Sequence, residues 1–254
     1  MISKRHINLC KSLARKPQRD ELGLFLAEGP RLIGELLSRF EPVLIWTTTP
    51  QTLPPTKAEV ITVSPAELAR LSHLTTPHQT IALFRRPEQP APLPISPTSF
   101  LLALDGVQDP GNVGTILRLA DWFGVDGVVL SPTCADPYSP KVVQASMGAI
   151  AHLNFCQTSL PPFFQSLPAG FPVWGTFLKG SNIYHATLRR RGVVLLGSEG
   201  NGISPQCEPF VTRRLLIPPF DAARPTCESL NVATAAAITL SEFSRPGPPT
   251  ADSL

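Results

Sequence analysis

Three apolar runs in this chain each end in a short polar turn, and the first sets the frame for the rest. Phe100-Leu101-Leu102-Ala103-Leu104 leads into Asp105-Gly106-Val107-Gln108-Asp109-Pro110-Gly111-Asn112-Val113-Gly114-Thr115-Ile116-Leu117-Arg118. A short apolar run closed by Asp and Gly reads as a buried strand. Asp109 is a good N-cap, and Pro110 suits the first helical position because its missing N–H would be unpaired there anyway. Val113, Ile116, Leu117 and Ala120 then recur on one face at helical spacing, and Gly124 supplies a stop. A strand that runs straight into a capped helix is half of a βαβ unit, which points to a parallel, helix-covered sheet. Asn112 and Arg118 lie in the N-terminal half of that helix, where unpaired N–H groups and the positive dipole end suit an anionic partner. A purely structural turn would need the same glycines and cap.

The other two turns follow the same plan. Leu195-Leu196 runs into Gly197-Ser198-Glu199-Gly200-Asn201-Gly202, and Leu216-Ile217-Pro218 precedes Glu228-Ser229-Leu230-Asn231-Val232, which opens an alanine-rich helix. Open α/β sheets bind ligands at the carboxyl ends of their strands, so turns of this kind are expected to share one pocket. Around them the pattern alternates. Strands are expected at 100–104, 127–130, 152–155, 173–177, 193–196 and 214–217, with helices ending near 123, near 141–147, and over 161–167 and 229–243. The N-terminal part reads as a smaller α/β unit with strands at 24–27, 43–47, 60–63 and 81–84. It has helical segments across 8–40 and a Ser64-capped helix over 65–71.

Between the two lies Pro87-Glu88-Gln89-Pro90-Ala91-Pro92-Leu93-Pro94-Ile95-Ser96-Pro97. Five prolines in eleven residues continue neither a helix nor a central strand, which makes this a semi-rigid linker. The expected division is therefore 1–88, a linker over 89–98, a larger domain over 99–245, and a Pro-rich polar tail over 246–254.

The net charge of +3 says little, but its distribution says more. Lys4, Arg5, Lys11, Arg15, Lys16 and Arg19 fall in the first nineteen residues, with no acid among them. That is either a solvated basic face or a phosphate-contacting patch. The five cysteines are odd in number, scattered and without a CxxC pair. This argues against a disulfide framework or a zinc site and for a reducing cytoplasm. No apolar run has the length of a signal peptide core or a membrane span, so no membrane association and no metal are expected.

Taken in order, the three turns resemble the three motifs of the SpoU (TrmH-type) family of RNA 2′-O-ribose methyltransferases, in the SPOUT superfamily, across Leu101 to Phe243. The resemblance implies a trefoil-knotted parallel-sheet domain, S-adenosyl-L-methionine as cofactor and structured RNA as substrate, ribosomal before transfer RNA. It also implies a homodimer through the C-terminal domain, for which the apolar faces of the Val113 and Val232 helices are candidate surface. The family's catalytic positions match Asn112, Arg118, Glu199, Ser229 and Asn231, with Glu199 able to orient Arg118. Its cofactor contacts, largely backbone, match Gly197, Glu199, Gly200, Ile217 and Leu230, with Thr176 as a further candidate. Small residues there let main chain approach a ligand. Ser229 has a second reading as a helix N-cap, and Ile217 and Leu230 as ordinary core.

Ser3-Lys4-Arg5-His6 and Phe25-Leu26-Ala27-Glu28-Gly29-Pro30-Arg31-Leu32 resemble the ribosomal-protein-like substrate-binding domain of some members. This makes the basic patch, together with Arg31, the candidate RNA contact. One departure stands out: the family's short glycine-containing loop before Glu228 is replaced by the longer, glycine-free segment 219–227. A guanidinium with a pKa above about 12 is a poor base, so Arg118 suits charge stabilisation at the 2′-oxygen better than proton removal. Two other classes compete: an inactive RNA-binding protein on the same scaffold, and a Rossmann-type oxidoreductase. The joint presence of all five catalytic matches opposes the first, and the lack of GxGxxG after the first strand of the domain opposes the second.

Overall fold

The computed structural model describes residues 2–88, 93–221 and 227–245. Residues 89–92 of the expected linker, 222–226 of the long loop and the tail 246–254 lie outside them. The described residues fall into two compact units that are not sequential. The first lies within Met1–Pro90, Asp109–Arg118 and Ala135–His152; the second lies within Ala91–Gln108, Leu119–Cys134 and Leu153–Leu254.

The first unit is built on a four-stranded sheet of β1 (Leu24–Glu28), β2 (Pro42–Thr47), β3 (Glu59–Thr62) and β4 (Thr80–Arg85). Its order is β1-β4-β2-β3, antiparallel except for the β2–β3 pair. Helices α1 (Lys4–Ser12) and α4 (Pro65–Leu71) cover one face, joining Ile7, Cys10, Leu13, Leu68 and Leu71 to Trp46, Ile81 and Leu83. Ser64 and Glu67 close a reciprocal capping box at the start of α4, as the Ser64 cap led one to expect. In chain order α2 (Lys16–Leu22) lies between α1 and β1, and α3 (Pro30–Leu36) follows β1. On the opposite face Phe25 stacks on Phe84 and, with Phe40, meets Tyr138, just ahead of α6 (Pro140–Ser146).

One side chain of this unit corrects the sequence reading. Arg19 was expected to contact RNA, but it is 2% exposed. Its Nε and Nη2 donate to Asp136 Oδ2 at 2.9 and 2.6 Å, and Nη1 donates to Leu13 O and Ala14 O at 2.7 and 2.9 Å. With four of its five N–H donors committed and the side chain buried, this guanidinium is not available to a phosphate. The other basic residues of the patch, Lys4, Arg5, Lys11, Arg15 and Lys16, are exposed, as is Arg31.

The second unit carries a six-stranded, all-parallel sheet. Its strands are β5 (Phe100–Asp105), β6 (Gly127–Leu130), β7 (Phe155–Gln157), β8 (Val173–Asn182), β9 (Gly192–Gly197) and β10 (Arg213–Leu216), ordered β10-β8-β9-β5-β6-β7. Every residue of β5, β6 and β9 is buried, as strands covered on both faces require. Phe163 and Phe164 of α7 (Leu160–Gln165) pack on Leu101, Ala103, Val193 and Leu195. On the other face Phe243 of α8 (Val232–Ser244) meets Phe100 and Trp174 at 5.2 and 5.5 Å. The chain leaves β5 toward β6 and β7 on one side and returns to β8 and β9 on the other. The carboxyl ends of β5 and β9 therefore flank a topological switch point.

Helix α5 (Pro110–Trp122) behaves as its sequence demands. Asp109 caps it through Oδ1, which accepts from Asn112 N at 2.8 Å. Val113, Ile116, Leu117 and Ala120 are fully buried. Gly124, at φ 61°, ends it in a Schellman turn, with Val125 N on Ala120 O and Gly124 N on Asp121 O. Several boundaries move, among them the end of β8, which runs to Asn182 and not to 177. The strand expected at 152–155 begins only at Phe155, because residues 149–151 form a 3-10 turn. Helix α8 begins at Val232 with Asn231, not Ser229, as its N-cap.

The suggested dimer surface also changes. The α5 face is buried within the single chain and is not free to pair; on α8, Ala236 and Leu240 are buried as well, while Ala237 and Ile238 are half-buried. Among the described residues no helix is long and apolar enough to cross a membrane.

Removing one partner of a buried ion pair leaves the other charge uncompensated. Asp136→Ala should therefore destabilise the chain by about 3–5 kcal/mol in urea unfolding. The paired substitution Arg19→Met with Asp136→Leu should recover most of that. A loss below about 1 kcal/mol for Asp136→Ala would show that the pair behaves like an exposed one.

Candidate functional site

The second turn is folded on itself. Ser198 N donates to Gly202 O at 3.1 Å and Gly202 N to Ser198 O at 2.9 Å, so the backbone of Gly202 and Ile203 lies directly over Gly197. A Cβ on Gly197 would stand 2.0 Å from Gly202 C and 2.2 Å from Ile203 N. The space that makes this glycine necessary is filled by the protein's own main chain, not left open for a ligand. Ser204 N donates to Asp105 Oδ2 at 2.8 Å, which ties the far end of the turn to the carboxyl end of β5. Burial, which outweighs the help from Ser204, pushes the nearby Cys207 thiol up to about 11.

The third motif is joined to the second by one amide. Asn231 Oδ1 accepts from Ala233 N and Thr234 N at 3.0 and 3.3 Å, capping α8. Its Nδ2 donates to Glu199 Oε1, and Val232 N donates to the same oxygen at 3.3 Å. The carboxylate thus sits at the positive end of α8, where a negative charge is favoured. Two residues chosen as catalytic from the sequence are brought together here, 32 positions apart.

Between these loops and β8 is a cavity of about 580 Å³ within the second unit. Thr176, Gly197, Glu199, Gly200, Ile217 and Leu230, the six positions matched to cofactor contacts, all line it, and so does Ser229. Ile217 is half-buried and Leu230 is 42% exposed, so neither is ordinary core. Asn112, half-buried, and Arg118, exposed, both lie on α5 and are not among the residues lining this cavity, so the second and third turns share it without the first, contrary to the expectation of one pocket for all three.

The sequence reading missed the wall contributed by Phe177, Leu178 and Lys179, and by Glu208 and Arg214. The cause is an irregularity in β8. It pairs with β9 only over 173–175, and its register with β10 jumps from Gly175 to Ser181. Residues 176–180 bow out of the ladder, and 176–179 border the cavity. Arg214 stacks over the Phe177 ring at 4.4 Å and pairs with Glu208. An apolar wall with carboxylates at Glu199, Glu208 and Glu228 suits a heterocycle that carries positive charge elsewhere.

The double role of Asn231 can be separated. Asn231→Ser keeps an oxygen for the helix cap but cannot donate to Glu199 from the same place; Asn231→Ala loses both. Relative to wild type, the Ala variant should lose about 1 kcal/mol of stability and the Ser variant much less. Both should lose activity, because Glu199 loses its link to the Asn231 amide. Thermal melts beside activity would check this, and full activity of the Ser variant would remove any role for the Glu199 link.

The chain matches the SpoU rRNA Methylase family over residues 99–241 and the MRM3-like substrate binding domain over residues 4–82. It is 32% identical over 235 residues to the 23S rRNA (guanosine(2553)-2′-O)-methyltransferase RlmP of Bacillus subtilis, covering 90% of this chain and 91% of that protein. A TrmH-family protein from Porphyromonas gingivalis superposes with a TM-score of 0.84 at 40% identity, over 96% of this chain and 98% of its own. An AdoMet-bound rRNA methyltransferase from Sinorhizobium meliloti superposes at 0.82 and 27% identity, over 96% and 95%. A cavity at the carboxyl ends of β9 and β10, lined by the positions that resemble the family's second and third motifs, agrees with these matches: the chain belongs to the SpoU rRNA methylase family of RNA methyltransferases.

Proposed function

We propose that this protein transfers a methyl group from S-adenosyl-L-methionine to the ribose 2′-oxygen of a structured RNA, ribosomal RNA in the first instance. The observation that carries this reading is the single wall on which Thr176, Gly197, Glu199, Gly200, Ile217 and Leu230 converge. Its volume, about 580 Å³, falls in the range of ligand sites of roughly 300–1,000 Å³. The Bacillus subtilis relative, named as a guanosine 2′-O-methyltransferase of 23S rRNA, supports both the atom and the RNA class.

When bound, the cofactor supplies a methyl group that is already activated, so the protein's task is placement and charge. Asn231 and the α8 terminus hold Glu199 at the rim of the cavity, which Ser229 also lines. Arg118, with Asn112 on the same helix, stabilises negative charge on the 2′-oxygen or its neighbouring phosphate.

Residues 1–88 form the RNA substrate-binding domain and 99–245 the methyltransferase domain, whose C-terminal segment threads a trefoil knot. Lys4, Arg5, Lys11, Arg15, Lys16 and Arg31 provide exposed phosphate contacts. The protein works in the cytoplasm as a homodimer through its C-terminal domain. The pairing surface excludes the buried faces of α5 and α8 and includes Trp122, which is 83% exposed.

Arg118 is exposed, so its loss should not cost the fold. Arg118→Ala should abolish methyl transfer while cofactor and RNA affinities stay within about tenfold, 1.4 kcal/mol. Calorimetric cofactor binding alongside a methylation assay measures both. Near-normal turnover would remove Arg118 from the chemistry.

A further inference from the structure

The second unit has another cavity, about 380 Å³, against the outer edge of its sheet. Successive side chains of a strand point to opposite faces. On the edge strand β10, Arg213 and Leu215 line this cavity, Leu216 lines the larger one, and Arg214 reaches both. The rest of its polar lining is Ser181, Asn182, His185 and Thr187.

This lining contains no carboxylate. The sequence from Pro137 to Ser198 has no Asp or Glu, yet it carries Lys179, Arg189, Arg190 and Arg191. The donors are also disposed to serve an acceptor. Asn182 Oδ1 is occupied by Tyr184 N at 2.9 Å, which leaves its Nδ2 to donate. Two nearby arginines are committed: Arg214 to Glu208 and Phe177, and Arg190 to Phe123 O, Gly124 O and the Phe100 ring. The Arg213 side chain has no ion pair or hydrogen bond among the described residues, and it is exposed. Tyr184, 42% exposed and next to His185 in the chain, offers a ring on which a base can stack.

A charged residue on an edge strand also discourages pairing with another sheet. That purpose needs one charge and no surrounding ring of donors. We propose that this cavity binds a phosphodiester of the RNA substrate, giving the methyltransferase sheet an RNA contact of its own outside the cofactor cavity. The proposal rests on the RNA-methyltransferase reading above. Arg213 is the charged ligand, with Asn182, Thr187 and His185 as hydrogen-bond partners.

The test uses the full chain and deproteinised ribosomal RNA as probe. Arg213→Gln should weaken RNA binding about tenfold, the loss of one charge-assisted contact. It should flatten the log–log salt dependence by about 0.7 and leave cofactor binding unchanged. Arg245→Gln removes the same charge from the end of the chain's last helix and should leave RNA binding as in wild type. Equal losses in the two variants would make the effect one of net charge and overturn the site. Retention of RNA by wild type and Arg213→Gln alike, with the same salt slope, would overturn the site while sparing the parent reading. No RNA retention by wild type would overturn both. Inorganic phosphate should compete with RNA at this site. Phosphate that stabilises wild type but not Arg213→Gln, with RNA binding unaffected by either, would assign the cavity to a free anion instead.

Discussion

The second and third motifs of this protein are held together by the Glu199 carboxylate at the start of α8. The acid accepts from the Asn231 amide and from Val232 N, while the same Asn231 caps the helix with its other atom. A helix N-terminus leaves donors unpaired and carries positive potential, so a carboxylate there answers both needs. Two loops that are remote in sequence become parts of one wall. The cavity depends on that wall, and with it the positions of Gly200, Ser229 and Leu230.

The opposite wall has a different origin. Strand β8 stays in register with β9 for three residues and then lets 176–180 bow away before it rejoins β10 at Ser181. A regular strand there would close the space. The turn after β9 is in turn compressed onto Gly197, so that any side chain at this position would drive into Gly202 and Ile203. The pocket is therefore shaped by backbone departures from regular structure, at the carboxyl ends of β9 and β10.

Much of this was legible in the residues. The strand–cap–helix grammar around Asp109, Pro110 and Gly124 located α5, and the Ser64 cap located α4. Those signals are local and depend on a few atoms. Motif resemblance placed six residues that the fold gathers around one cavity. What could not be read was set by partners distant in sequence. Arg19 resembled its basic neighbours until Asp136, 117 residues away, took its charge. Ser229 and Asn231 are equally good caps by type, and the Glu199 contact distinguishes them. The apolar stripes of α5 and α8 marked burial, but a stripe does not say whether its cover is the same chain or a second one. The bow in β8 left no mark, since Thr176 to Leu178 continue a plausible strand pattern.

Ribose methylation makes a chemical claim that can be tested directly. Alkaline cleavage of RNA needs a free 2′-hydroxyl to attack the adjacent phosphate, and a methyl group on that oxygen blocks it. Deproteinised ribosomal RNA, incubated with this protein and methyl-labelled S-adenosyl-L-methionine, is hydrolysed in alkali and its products are separated by length. Methylation at the 2′-oxygen puts the label in alkali-resistant dinucleotides. Label confined to mononucleotides would place the methyl group on a base and contradict the reading of the site.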